Sequence, residues 1–381
     1  MKKNEFKKII NPLNKRNYGI DILRFISMIN IINLHINGFS NMLKILKYDE
    51  PQYKPIWRLQ AASRWGVNGF GLISGIVGYK RYKFANLIFI WITVLFYSII
   101  ISLILYLKNA ISKRDFFFSL FPILIKRHWY FNAYFQMYLL LPFINNGIKY
   151  LTKKELKNII IFLIGFYSLY NILGVSIHSK NYHFLLNGYS GMWLTILYII
   201  GSYIGKYIII NKSKNHIFYF IFFILLYIFS SLFSSEIHFK LLEKKSKIQS
   251  KLFINYLSPT MLLQAISLIM TFSRLEIRNE RMIQLISFFT PLTFSVQLIH
   301  TRLFQNTSKF KFIKHFFHYI KKMKSNMLFF KIYGFSILIF FLCSLIDYFR
   351  YLLFKLIKVR EFCLFIEKIF PEFIDKLSCI K

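Results

Sequence analysis

The composition of this 381-residue chain excludes a water-soluble domain. Hydrophobic residues make up 56% of the chain and come in blocks of about twenty, enough for an α-helix to cross the hydrocarbon core of a membrane. The net charge of +36 is spread over the segments between these blocks, where Lys and Arg contact lipid headgroups, so nucleic-acid binding is not expected.

The apolar blocks predict an all-α, polytopic integral membrane protein with about ten transmembrane helices. Because each block is solidly apolar and does not alternate with period two, helices fit the pattern and a β-barrel does not. The predicted spans are 20–39, 65–80, 84–107, 129–149, 157–176, 190–210, 216–235, 252–272, 283–304 and 327–349.

The flanking segments predict the orientation and the domain organisation. An even number of spans places both ends on one side, and the basic N-terminal arm and residues 274–281 favour the cytoplasm. The first block lacks a small-residue cleavage site, so it is expected to remain as the first span. We expect one membrane domain over 1–350 and an interfacial amphipathic tail over 351–381.

The first span carries three ionisable residues: Asp21, Arg24 and His35. Arg24 and His35 are eleven positions apart, which places them within about 20° on one helix face and about 16 Å apart along its axis. Asp21 precedes Arg24 by three positions and can pair with it. Ionisable groups within a membrane usually face a cavity or a partner, so this stripe is the first candidate site. Alternatively, Asp21 and Arg24 mark the interface and His35 serves helix packing.

Other polar residues in the spans are candidate cavity-lining groups, each with a structural alternative. Asn68 and Ser74 lie in a glycine-containing span whose ordinary role is close helix packing. Trp129 and Tyr134 lie where aromatic residues commonly anchor a span at the interface. His300 ends the ninth span. The cysteines show no spacing typical of a metal site, and no carboxylate cluster lies near the loop histidines, so no metal is expected.

The order of these motifs resembles the acyltransferase-3 family of integral membrane acyltransferases. Residues 17–24, followed by ten residues and His35, resemble the opening of that family, in which an Arg or Lys, ten residues and a His lie on the first helix. Residues 68–75, 129–143 and 294–300 resemble its later motifs in the same order.

The resemblance implies transfer of an acyl group, usually acetyl from acetyl-CoA, to a hydroxyl of a cell-envelope polysaccharide or lipid-linked glycan in the bacterial cytoplasmic membrane. No tightly bound cofactor is expected, since acetyl-CoA is a donor substrate. Arg24 would neutralise a phosphate or orient the thioester, with Asp21 fixing the Arg24 side chain. His35 would act either as a general base or as an acyl carrier. The resemblance also leaves room for a partner protein that completes transfer to the final acceptor.

The polar stripe alone is equally consistent with a transporter or flippase for lipid-linked glycans. Against that alternative, the sequence has no detectable inverted repeat and no pair of Gly/Pro-broken spans.

Overall fold

A computed structural model of the chain describes residues 16–79, 82–124, 128–169, 172, 185–209, 216–244, 249–306 and 309–369. Within these ranges the backbone forms helices and turns without a strand, which confirms the predicted all-α class. The α-helices, in chain order, are α1 (Tyr18–Phe39), α2 (Met42–Ile45), α3 (Tyr53–Ser63), α4 (Trp65–Gly78), α5 (Phe84–Leu107), α6 (Lys113–Phe118), α7 (Trp129–Tyr150), α8 (Lys153–Ile164), α9 (Gly191–Tyr203), α10 (His216–Glu243), α11 (Pro259–Phe272), α12 (Glu280–Phe289), α13 (Thr293–Gln305), α14 (Lys311–Lys321), α15 (Ser325–Leu356) and α16 (Val359–Ile369).

Several helices are long and apolar enough to cross a membrane, which supports a multi-pass membrane protein. Six such segments occur in the described residues: Tyr18–Phe39, Phe84–Leu107, Ile217–Glu243, Ser250–Phe272, Glu280–Gln305 and Ser325–Leu356.

The other four predicted spans coincide with helical segments where the structure describes them, but these helices are short, interrupted or more polar. Residues 170, 171 and 173–176 of the predicted span 157–176 lie outside the described residues. Helix α4 has only 14 residues, and α8 and α9 run into π-helical turns at Gly165–Leu169 and Ile204–Ile208. Helix α7 is long enough but contains Asn, Gln and several Tyr side chains. The total of ten spans therefore stays a prediction.

Helix α1 lies inside the bundle, and its first turn is fixed by contacts with the end of α11. It contacts α3, α4, α11, α13 and α15. The Asn17 side chain caps the helix by accepting from the Ile20 amide at 3.2 Å, and it donates to the Ser273 carbonyl at 2.7 Å. A Cβ atom on Gly19 would lie 1.9 Å from the Phe272 carbonyl oxygen, so only glycine fits there. These contacts set the position of Asp21 and Arg24, one turn further along.

Helices α4 and α9 pack closely through glycines, which confirms the predicted packing role of the glycines in the second span. A Cβ atom on Gly75 would lie 2.0 Å from the Tyr198 carbonyl oxygen. A Cβ atom on Gly201 would lie 2.0 Å from the Leu72 carbonyl oxygen. Small residues at such crossings let two backbones approach within a membrane. The close approach brings Ser74 and Tyr198 to one region of the bundle.

The C-terminal part of the described chain folds back onto the bundle. Helix α15 continues past residue 350, the predicted domain boundary, to Leu356. After a turn at Lys358, whose φ is 53°, α16 packs against α5 with Cys363 fully buried. Phe362 and Phe365 on α16 are 54% and 61% exposed, as in an amphipathic helix at a membrane surface. Residues 370–381 of the predicted tail lie outside the described residues, and the division into two segments stays a prediction.

The close contact between α4 and α9 predicts that even a methyl group added at a glycine of the crossing destabilises the protein. We expect Gly201→Ala to lower the free energy of unfolding by about 1–3 kcal/mol, because overpacking forces the two backbones apart. The measurement is unfolding of the detergent-solubilised protein. The matched control is Gly334→Ala in α15, where nothing lies within 4 Å of the added Cβ. Equal stability of the two variants would contradict the inferred packing.

Candidate active site

The buried carboxylate of Asp21 binds two arginines at the beginning of α1. Asp21 is 3% exposed, and its Oδ1 accepts from Arg24 Nη1 at 2.7 Å. Its Oδ2 accepts from Arg16 Nε at 2.6 Å. The predicted pairing of Asp21 with Arg24 is therefore present, and one carboxylate faces two guanidinium groups. This cluster keeps a net positive charge of one.

Arg24 lines a cavity of about 380 Å³ between α1, α4, α5, α7, α9 and α16. Of the predicted site residues, Ser74 and Tyr134 line it together with Arg24. The cavity has two cationic side chains, three tyrosines and no carboxylate among its described lining residues, which are Arg24, Ser74, Val77, Gly78, Asn86, Phe89, Ile90, Tyr134, Tyr138, Leu141, Tyr198 and Arg360. Such a lining attracts anions.

The cavity lies at the end of the bundle where α1 and α5 begin and α4 ends. Val77, one of the lining residues, is 48% exposed at this end.

His35 and His300 form a hydrogen-bonded pair deeper in the bundle. His35 Nδ1 lies 2.8 Å from His300 Nε2, and the two ring centroids are 5.0 Å apart. The Thr301 hydroxyl is 3.3 Å from the same His35 Nδ1. His300 is only 1% exposed, whereas His35 is partly accessible. The structure thus joins two predicted site residues that are 265 positions apart in the chain.

The hydrogen-bond partners of His35 and His300 show which ring nitrogens carry a hydrogen. His300 Nδ1 lies 2.6 Å from the Val296 carbonyl oxygen, which can only accept, so His300 Nδ1 carries a hydrogen. In a neutral imidazole the other nitrogen is then an acceptor. His300 Nε2 therefore accepts from His35 Nδ1, and His35 Nε2 is left with its lone pair. Within the described chain His35 Nε2 has no hydrogen-bond partner, so it is available as a base.

Arg24 and His35 lie on one face of α1, but His35 is not among the described residues that line the Arg24 cavity. At helical spacing, Met28 and Ile31 occupy the same face between them, and these side chains are 1% and 2% exposed. Arg24 and His35 thus lie at two different positions along the axis of α1.

Two other predicted cavity residues, Asn68 and Trp129, make structural contacts. The Asn68 amide donates to the Tyr256 carbonyl at 2.8 Å and accepts from Trp193 Nε1 at 3.1 Å. Trp129 packs on Tyr189, with ring centroids 4.5 Å apart. Neither is among the described lining residues of the Arg24 cavity, and a role for either in substrate binding stays a prediction.

A second polar face of α1 escaped the sequence analysis. Asn30 accepts from Tyr333 Oη at 2.8 Å, and Asn33 accepts from Ser336 Oγ at 2.5 Å. Asn37 donates to Gln60 Oε1 at 3.3 Å. The spacing of these asparagines by three and four positions was a readable signal for one polar face. Their bonds hold α1 against α15 and α3, as polar side chains do between membrane helices.

The family model described as an acyltransferase domain, that of acyltransferase-3, matches residues 17–347. The match covers most of the chain and includes Asp21, Arg24, His35 and His300. The chain belongs to the acyltransferase-3 family. It is therefore a membrane acyltransferase. No curated protein and no solved structure matches the chain significantly.

The acyltransferase-3 match ends before one of the residues that line this cavity. It stops at residue 347, within α15, so the end of that helix and all of α16 lie outside it. Arg360, the second cation of the cavity, is on α16. Arg360 could not be recognised from the sequence, because nothing distinguishes it from the other charged residues of the C-terminal segment.

The shared carboxylate predicts that Asp21 is important for stability. We expect Asp21→Ala to lower the free energy of unfolding by about 2–4 kcal/mol, since it leaves a largely buried guanidinium without its partner. The matched control is Glu236→Ala, which removes the partner of Arg58 from a pair whose side chains are both 50% exposed. The control should cost less than about 1 kcal/mol. Both variants are compared by SDS titration in mixed micelles, and a control as costly as Asp21→Ala would contradict the account.

Proposed function

We propose that this acyltransferase moves an acetyl group from acetyl-CoA to a hydroxyl of a cell-envelope polysaccharide or lipid-linked glycan. The observation that carries the proposal is the His35–His300 pair, which presents an unprotonated Nε2 on the same helix as an anion-attracting cavity. Acyl transfer to a hydroxyl needs a base at the acceptor and a site for the donor. The family membership supports the acyl transfer itself.

The cavity at Arg24 supports an anionic donor. Acetyl-CoA carries its negative charge on phosphate groups, and a guanidinium binds phosphate with paired, charge-assisted hydrogen bonds. Asp21 holds one Nη atom of Arg24 and so fixes the direction of the rest of the guanidinium. With both termini in the cytoplasm, as we propose for a bacterial cytoplasmic membrane, the cavity opens to the compartment that supplies acetyl-CoA.

In the proposed step His35 is a general base. His35 Nε2 removes the proton of the acceptor hydroxyl as its oxygen forms a bond to the thioester carbonyl carbon. The C–S bond then breaks, and the CoA thiolate takes the proton from the imidazolium. The hydrogen bond from His35 Nδ1 to His300 Nε2 keeps the reactive tautomer in place and stabilises the imidazolium. The acceptor ester and free CoA are the products.

The separation of Arg24 and His35 defines how the donor is placed. Their axial distance of about 16 Å is spanned by the extended arm of CoA, with phosphates at Arg24 and the thioester towards His35. Met28 and Ile31 lie on that face, so their side chains move aside when the arm is bound. The acceptor then reaches His35 from the other side of the membrane, and a partner protein carries the acetylated product to the final polymer.

The general-base role predicts the outcome of removing the imidazole of His35. We expect His35→Ala to reduce transfer of radiolabelled acetyl from acetyl-CoA to envelope glycans by about 10²–10⁴-fold, in membranes with matched protein amounts. The control is His315→Ala, which removes an exposed histidine from α14 and should transfer at the wild-type rate. Near-normal labelling with His35→Ala would refute the proposal.

The orienting role of His300 predicts a selective loss of turnover. His300→Ala removes the acceptor for the His35 Nδ1 hydrogen, so the tautomer with a free Nε2 is no longer favoured. We expect kcat to fall by about 10–10³-fold, with little change in the KM for acetyl-CoA, because His300 is not in the described lining of the donor cavity. A rise in KM with unchanged kcat would place His300 in donor binding instead.

A further inference from the structure

Arg360 enters the Arg24 cavity from a helix that the family match does not include. Its Nη2 donates to Asn86 Oδ1 at 2.8 Å, and its guanidinium carbon lies 5.8 Å from the centre of the Phe89 ring. Both partners are on α5 and also line the cavity. Arg360 is thus held in a defined position at the cavity wall.

The packing of α16 against α5 and α15 explains why Arg360 is held at the cavity wall. Cys363 is 0% exposed and Val359 7%, and both pack in one apolar cluster with Ala85 on α5 and Phe354 on α15. Arg360 follows Val359 directly, so this contact fixes the start of the helix beside the cavity. The helix brings a cation to a site that is otherwise built by membrane-embedded helices.

The charges around the cavity leave Arg360 uncompensated. Arg24 shares the carboxylate of Asp21, but within the described chain Arg360 binds only a neutral amide and no carboxylate. Two guanidinium groups therefore face a cavity whose described lining contains no acidic side chain. A ligand with more than one negative charge can pair with both groups.

We propose that Arg360 and Arg24 together bind the diphosphate of the acyl-CoA donor, so that α16 completes the donor site. This inference rests on the proposed function and assigns α16 a part in substrate recognition. Arg360 is a binding residue in it and takes no part in the proton transfer at His35.

A phospholipid headgroup offers the same phosphate chemistry, because α16 exposes Phe362 and Phe365 as a helix at a lipid surface does. The lining of the cavity favours the acyl-CoA. Tyr134 and Tyr138 on α7 and Tyr198 on α9 line it together with Arg360, so the cavity extends between helices of the bundle and is not confined to the exposed face of α16. The experiment has to separate these two sources of phosphate.

The test compares two donors with the purified full-length protein in lipid nanodiscs. Acetyl-CoA carries the diphosphate, and S-acetylpantetheine has the same thioester arm without it. We expect Arg360→Gln to raise the KM for acetyl-CoA by about 10- to 100-fold, the range for loss of a charged hydrogen bond. For S-acetylpantetheine kcat/KM should be unchanged, and Arg360→Lys should recover part of the loss. The matched control, Lys368→Gln, removes a charge from an exposed position of α16 and should behave as wild type.

Each other outcome overturns the inference in a distinct way. Equal losses with both donors would mean that Arg360 acts through the fold, and no loss would place it outside the donor site. A variant whose only change is a lost thermal stabilisation by phosphatidylglycerol, relative to phosphatidylcholine nanodiscs, would assign Arg360 to a lipid phosphate. Wild-type protein that uses neither donor would instead overturn the proposed function.

Discussion

The structure depends on how helix α1 pairs its polar side chains inside an apolar bundle. Unpaired polar groups are costly in hydrocarbon, and α1 meets this constraint with partners from several helices. Asp21 binds Arg16 and Arg24, three asparagines bond to α3 and α15, and His35 bonds to His300 on α13. Each bond satisfies a buried group, and the bonds of the asparagines and of His35 also set the positions of neighbouring helices. Because α1 is fixed on several sides, Arg24 and His35 are held at defined depths.

This arrangement keeps the cationic cavity at Arg24 away from the imidazole of His35. The two groups need surroundings of different charge. A donor rich in phosphate needs cations and an open route to water, whereas a neutral imidazole base is best kept away from positive charge, which would oppose its protonation. Placing them about 16 Å apart on one helix face meets both needs. In the proposed mechanism the thioester arm of the donor spans the distance between Arg24 and His35. This arm passes Met28 and Ile31, whose side chains are buried.

Sequence patterns predicted the class of the fold and the residues that share one face of α1, because both are set locally. Apolar blocks reveal spans, and helical spacing placed Asp21, Arg24 and His35 on one face. The glycine packing of α4 followed from composition as well. The pairing of His35 with His300 joins residues 265 positions apart, and spacing within one helix cannot reveal such a contact. For the same reason the bonds of Asn68 to Trp193 and to the Tyr256 backbone could not be read from the sequence. Arg360 was missed because only the docking of α16 gives it a role.

The inclusion of α16 in the proposed donor site would suit a membrane enzyme with a water-soluble donor. The helical bundle holds the His35–His300 pair, but few cationic groups are tolerated within a membrane. A surface helix carries a cation at low cost and presents it at the mouth of the bundle. Family membership alone does not describe this part of the site, since the match ends at residue 347.

The most direct test of the account is an electron cryomicroscopy structure of the full-length protein in nanodiscs with bound CoA. The account predicts the diphosphate between Arg24 and Arg360, the thiol directed along α1 towards His35 Nε2, and Met28 and Ile31 displaced from the path. CoA bound elsewhere, or a thiol directed away from His35 with that path still closed, would contradict the central claim that α1 carries the donor and base stations of one acyl-transfer reaction.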